Sequence, residues 1–203
     1  MVSSLTSQRA KRAITSLTSL TSLTIMKPKI AETEIIKAAE SGFDELLELV
    51  VGKTLEAIGG ELNAQTMPLL SGEQITLLGY HLFREEVLDG GFLQLIHNGL
   101  GPFIFLNPFA KAMRLWGEEV ECEQGTSVLH DFSKLIYKGR KLFERYGDEL
   151  TRDVDDDEFM ALFEQYPEFD DLDDAFVEAE EDITAMIAIY IDNHITDFVD
   201  IKE

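Results

Sequence analysis

The chain has 203 residues, with 39 acidic against 17 basic side chains and a formal net charge of -22. Affinity for nucleic acid comes mainly from Lys and Arg that neutralise phosphates, so this charge excludes direct binding of DNA, RNA or anionic membrane. Apolar residues make up 45% of the chain and include 13 Phe, which is enough for a substantial core. The length favours one domain with a short appendage.

The beginning of the chain differs from the rest. It is basic, has no acid before Glu32, and repeats the phrase TSLTSLTSLT from Thr15 to Thr24. We predict that residues 1–28 form a disordered low-complexity tail, with Met26 as a candidate true start, and that residues 29–203 form one helical domain. An organelle transit peptide is the alternative interpretation of the tail.

Cysteine content and hydropathy favour a cytoplasmic protein. Cys122 is the sole cysteine, so an internal disulfide is excluded and a reducing compartment is expected. No run of eighteen apolar residues predicts a membrane span.

Helical periodicity and capping patterns predict three helices in the first half of the chain. Gly pairs end the second and third, and a capping box opens the third. The predicted helices cover residues 31–39, the segment from a Ser41 cap to Gly59–Gly60, and the segment from Ser71 and Gln74 to Gly90–Gly91.

The second half predicts further helices separated by Gly and Pro. The only candidate strand, Phe103 to Leu106, lacks an obvious partner. The predicted helices are 92–97, Asn107–Pro108 to Gly117, Thr126 or Ser127 to Gly147, 155–166, and one beginning near Asp170 or Asp171. The predicted fold is therefore all-α, a single-domain bundle of about seven or eight helices.

Catalytic and metal-binding patterns are weak. The four histidines, at positions 81, 97, 130 and 194, show no i, i+3 or i, i+4 spacing that would suggest zinc ligands. Asp153, Asp155, Asp157 and Glu164 match ligand positions of a calcium loop, but Glu158 stands where that loop needs Gly. We predict no metal, no cofactor and no catalytic residue.

Acidic residues are concentrated between Asp148 and Asp182, a segment that holds 17 of the 39 acids and one base, Arg152. In the last predicted helix an apolar stripe that includes Leu172, Phe176 and Ile183 lies opposite an acidic one. Carboxylates at i, i+3 and i+4 lie about 5–6 Å apart, a density comparable to phosphates about every 3.4 Å along a DNA strand. The predicted partner-binding residues are Asp155, Asp156, Asp157, Asp170, Asp171, Asp174, Glu178, Glu181 and Asp182.

A second notable segment is DGGFLQLIHNGLG, which begins at Asp89. Its Gly pair allows a tight turn between helices, and its amides lie beside an apolar surface, where they bind a neighbouring backbone or line a pocket. The motif residues are Gly90, Gly91, Phe92, Gln94 and Asn98.

This segment, with the NPFAKAMRLWG helix that follows it, resembles a small acidic bacterial family that includes a DNA-mimic protein. The resemblance extends to about Tyr146, and Asp89 stands where the family often has Asn. It implies an all-α fold without cofactor or catalytic residues. It also implies that some members bind DNA-binding proteins in place of DNA.

The predicted function is that of a non-enzymatic binding protein whose acidic face engages a basic, DNA-binding protein as a DNA mimic, with a DNA-binding regulator as one candidate partner. A homodimer is left open. Two alternatives remain: an immunity-type antagonist of a basic toxin, and a small-molecule pocket near Gln94, His97 and Asn98.

Overall fold

The structure is a computed structural model that describes residues 24–202. The first 23 residues of the predicted tail therefore lie outside the described part of the chain. The side chains of residues 122–124 and of Asp156 also lie outside it.

Helices dominate the described part of the chain, as the sequence predicts. The nine α-helices between residues 24 and 202 are α1 (Glu32–Ser41), α2 (Phe43–Ala57), α3 (Gly72–His97), α4 (Gly101–Phe105), α5 (Phe109–Gln124), α6 (Val128–Leu150), α7 (Asp156–Gln165), α8 (Asp170–Asn193) and α9 (Ile195–Phe198). Two short 3₁₀ helices cover Met67–Leu69 and Pro167–Phe169, and two strands are β1 (Lys29–Ala31) and β2 (Asp200–Lys202). The predicted all-α fold is confirmed.

Helix α8 occupies the centre of the bundle and packs against α2, α3, α5 and α6. The core beside it is aromatic. The Phe83 ring meets Phe92, Phe132 and Phe176 edge to face, with centroid separations of 5.3, 5.4 and 4.9 Å. Edge-to-face contact suits the positive rim and negative face of aromatic rings, so this cluster stabilises the junction of α3, α6 and α8.

The two strands form a parallel pair that joins the ends of the described chain, with Ile30 opposite Ile201. The sequence analysis missed this pair, because three-residue strands are too short for a periodic pattern. The candidate strand at Phe103–Leu106 does not form, since most of that segment belongs to α4.

Two predicted glycine stops are also wrong. Gly117 lies inside α5, which continues to Gln124, and a Cβ on Gly117 would come within 3.0 Å of Leu129 Cβ on α6. Its small size therefore allows α5 and α6 to approach closely. Gly125, in the left-handed region with φ +70°, follows the true end of α5. Gly147 likewise lies within α6, which ends at Leu150.

Capping predictions had mixed outcomes. The Ser71–Gln74 capping box is confirmed with both of its hydrogen bonds. The predicted Ser41 cap is wrong, because this residue ends α1 and its hydroxyl donates to the carbonyl of Lys37. Helix α5 begins at Phe109, and Asn107 Oδ1 accepts the Phe109 N–H at 2.8 Å.

Candidate partner-binding surface

Helix α8 separates apolar from acidic side chains, as its sequence predicts. Leu172, Phe176 and Ile183 are buried against the core. The predicted acids on this helix are all exposed. We use the name acidic ridge for the exposed carboxylates of Asp171, Asp174, Glu178, Glu181 and Asp182, which recur at i+3 and i+4 along α8.

In the described part of the chain, the carboxylates of the acidic ridge form no ion pairs. Over residues 24–202, the ion pairs formed by Lys, Arg and His nitrogens within 4.0 Å involve other acids. Asp170, also exposed at the start of α8, belongs to the same unpaired group. Like charges on one helix face repel one another, so this surface favours a cationic partner.

The second predicted acidic group lies at the start of α7. Asp155 caps this helix by accepting the Glu158 N–H at 2.9 Å, and Asp157 is exposed. The predicted Asp156 side chain lies outside the described part. Helix α7 is anchored by the buried Leu162 and by the Phe159 ring, which lies 4.7 Å from the His97 ring. That these acids and the acidic ridge serve one partner stays a prediction.

The Gly90–Gly91 pair breaks α3, as expected. Gly91 has φ +72°, and a Cβ there would lie 2.4 Å from Asp173 Oδ2, so both the backbone and the space require glycine. Asp173 Oδ1 accepts the N–H of Phe92 at 2.8 Å, which caps the last turns of α3.

Asp173 is an acid of α8 that the predicted set omits, although its carboxylate accepts from the backbone of motif residue Phe92. Burial raises its pKa to about 6; the Phe92 N–H opposes this shift, and the nearby Asp170 and Asp174 add to it. In the sequence, Asp173 falls between the apolar stripe and the acidic stripe of α8, so the helical pattern assigns it to neither face. Only the packing of α3 against α8 reveals that it faces Gly91.

The motif amides bind within the protein. Gln94 Nε2 donates to Glu86 at 3.0 Å and to Asp89 at 2.7 Å, and Asn98 Nδ2 donates to Glu86 at 2.8 Å. These bonds connect the two parts of α3 across its break. The amides bind carboxylates rather than the expected backbone, and a ligand pocket there stays a prediction.

His97 is fixed in a similar way. Its Nδ1 lies 2.9 Å from the carbonyl oxygen of Leu150, at the end of α6. This contact and the Phe159 ring hold the imidazole between three helices, in a structural position.

Some acids elsewhere are paired with cations. Arg84 of α3 forms ion pairs with Asp44 at 2.8 Å and with Glu180 at 2.5 Å. Glu180 is buried on the inner side of α8 and accepts from Thr184 at 2.9 Å, and Thr184 in turn bonds the Tyr80 hydroxyl at 2.7 Å. Glu180 belongs to the acidic segment by sequence but serves the core.

Among the residues whose side chains are described, no group of three or more His, Cys, Asp or Glu is arranged to hold a metal ion. His81 lies beside Glu48 and Glu85, and His194 beside Glu119 and Asp197. None of the described helices is long and apolar enough to cross a membrane.

The helical fold and the unpaired acidic face define an all-helical protein with one strongly anionic surface. The model of the DMP19-like protein family matches residues 68–194, well over half of the chain, and the chain belongs to this family. The chain is also 30% identical to the DNA mimic protein DMP19 of Neisseria meningitidis serogroup B over 140 residues, which are 68% of this chain and 78% of that protein. The resemblance to a family with a DNA-mimic member is thereby confirmed. The match extends beyond Tyr146, where the resemblance was expected to end, and includes the acidic segment.

Proposed function

We propose that this protein is a non-enzymatic DNA mimic whose acidic ridge binds a basic, DNA-binding protein. The observation that carries the proposal is an exposed row of carboxylates on α8 that forms no ion pair within 4.0 Å in the described part of the chain, whereas some acids elsewhere are paired with Arg84, Lys53 or Arg140. A DNA-binding surface presents Lys and Arg to phosphates, so an unneutralised row of carboxylates can occupy the same cations.

The relative's name supports the same conclusion, since it is described as a DNA mimic and belongs to the same family. The geometry is compatible as well. Carboxylates three and four residues apart on α8 lie roughly 5–6 Å from one another, a spacing near that of phosphates on a strand. The exposed acids of α7, Asp155 and Asp157, are proposed to extend this charged surface.

The test measures competition with DNA. A basic protein captured from a cell lysate at low salt is purified and titrated with the chain, and duplex DNA is then added as competitor. Mimicry predicts that DNA displaces the chain, and that affinity falls steeply with salt, because screening shortens the range of the attraction. The triple variant D171N/D174N/E178Q should bind at least about tenfold more weakly, since three cation contacts are lost.

A matched control removes three charges elsewhere. Glu56, Glu118 and Glu144 are exposed acids paired with Lys53, Arg114 and Arg140, so E56Q/E118Q/E144Q changes the net charge by the same amount. This control should retain affinity near that of the unaltered chain. Equal losses in the two triple variants would show that net charge, not the acidic ridge, attracts the partner. A partner that DNA does not displace would contradict mimicry and favour a toxin antagonist.

A further inference from the structure

A cleft of about 450 Å³ lies between α6 and α8, directly beside the acidic ridge. Its floor is apolar, formed by Val128, Phe132 and Leu135 of α6 and by Ala179 and Ile183 of α8. The volume falls within the range of roughly 300–1,000 Å³ found for ligand sites. Small side chains on α8 create the space, because alanine at a position facing α6 leaves room that a larger residue would fill.

The two edges of the cleft carry opposite charges. On the α8 edge, Asp182 lines the cleft and Glu178 follows Ala175 by three residues, so the edge is part of the acidic ridge. On the α6 edge lie the exposed Lys134 and Lys138, of which Lys134 also pairs with Asp131 at 2.9 Å. A duplex offers phosphates on both sides of a groove. Charge mimicry alone therefore explains one edge and leaves the apolar floor and the lysines unexplained.

We infer that the cleft accepts one amphipathic helix of the basic partner. Its apolar face enters the cleft, its Arg and Lys lie along the acidic ridge, and uncharged or acidic residues face Lys134 and Lys138. Helix-in-groove binding of this kind places anchors at i, i+3, i+4 and i+7. The inference rests on the proposed function and adds to it a specificity element: an apolar contact that selects one partner among the many proteins with basic surfaces.

The test uses the full chain and two synthetic peptides of about 18 residues, long enough to form a helix. The leucine peptide carries leucines on one face, arginines along one edge and glutamines elsewhere. In the glutamine peptide every leucine is replaced by glutamine, which preserves charge and helix propensity. Fluorescence anisotropy should show the leucine peptide binding about tenfold more tightly, since two or three leucines leave water.

Two tryptophan variants locate the contact. Ala175 is exposed and lines the cleft, so A175W fills it and should remove the tenfold preference for the leucine peptide. V177W is the matched control, because Val177 is 57% exposed on the same helix and does not line the cleft. It should keep the preference. A175E, which brings a charge into the cleft, should act like A175W. Thermal melting followed by circular dichroism checks that each variant is folded.

The outcomes separate this inference from the proposed function. If both peptides bind equally and in a salt-dependent way, the inference that the cleft makes an apolar contact is overturned, while the proposed binding by the acidic ridge is supported. If neither peptide binds at low salt, both the proposed binding by the acidic ridge and the inference about the cleft are overturned. If A175W and V177W lose the preference equally, the inference that the cleft binds the helix is overturned. A bulky side chain anywhere on the exposed face of α8 would then be enough to weaken binding.

Discussion

Acidic residues on the two sides of α8 differ in what surrounds them. Towards α2 and α3, Glu180 lies against Arg84, and Asp44 and Glu48 approach the same guanidinium. On the opposite side, the acidic ridge has no cation within 4.0 Å in the described part of the chain. The same residue type thus holds the fold together on one side and stays available to a partner on the other. Total charge does not distinguish these roles, whereas the position of the few cations does.

The largest effect on stability should come from a substitution on the side of α8 where the acids are paired with Arg84. Arg84→Ala removes the cation and leaves Glu180, which is buried, without its partner. We expect the free energy of unfolding to fall by about 3 kcal/mol, because a buried charge that loses its counter-charge keeps its desolvation penalty. Urea denaturation measures the change.

A second substitution tests the cause of that loss. In R84A/E180Q the stranded charge is gone, while the amide can still accept from Thr184. This double variant should recover part of the lost stability. If it is as unstable as R84A, lost packing of the long Arg side chain is responsible rather than the unpaired charge.

Asp173 lies between the two sides and should give a smaller, pH-dependent effect. Burial raises its pKa from 3.8 to about 6, so the folded state binds the proton more tightly than the unfolded chain does. Its contribution to stability is therefore full below about pH 4 and is lost as the pH rises towards 6. Because the side chain is partly exposed, the loss should be about 1–2 kcal/mol.

Asp173→Asn removes this titration and can keep the hydrogen bond from the Phe92 N–H. The stability difference between D173N and the unaltered chain should grow in favour of D173N between pH 4 and pH 6.5, as measured by urea denaturation at each pH. D171N, an exposed neighbour on α8, is the control for simple removal of charge and should show no comparable growth. A pH-independent difference for D173N would contradict the raised pKa.

The unpaired side should give the smallest effect on stability. D171N/D174N/E178Q removes three mutually repelling charges from the surface, so the melting temperature should rise by only about 1–2 °C at low salt. Calorimetry at about 20 mM and at 1 M NaCl checks this, since screening should abolish the gain. A clear fall in melting temperature would mean that the acidic ridge makes stabilising contacts, which would remove the contrast between the two sides.

Sequence patterns predicted the parts of this molecule that depend on local interactions. The Ser71–Gln74 box, the apolar stripe of α8 and the exposure of the acids predicted on its outer face follow from periodicity and capping. Contacts between distant segments were not accessible in this way. The approach of Asp173 to Gly91, the small size needed at Gly117 and the use of Gln94 by Glu86 all depend on how helices pack or how α3 bends.

The cleft was missed for the same reason. In the sequence, Ala175 and Ala179 are ordinary helix residues. The cleft exists only because α6 packs beside them and their small side chains leave space between the two helices. Local composition can therefore indicate which charge a partner must have. It does not indicate the shape that the partner must fit.

The parallel strands bring the two ends of the described chain close together, which makes a circularly permuted protein feasible. Residues 29–31 and 200–202 lie side by side, although they stand at opposite ends of the described chain. Since an extended residue spans about 3.3–3.6 Å, a linker of roughly five residues could join Lys202 to Lys29. New termini could then be opened in a surface loop far from α8, which would allow labels or fusion partners to be attached without crowding the acidic ridge.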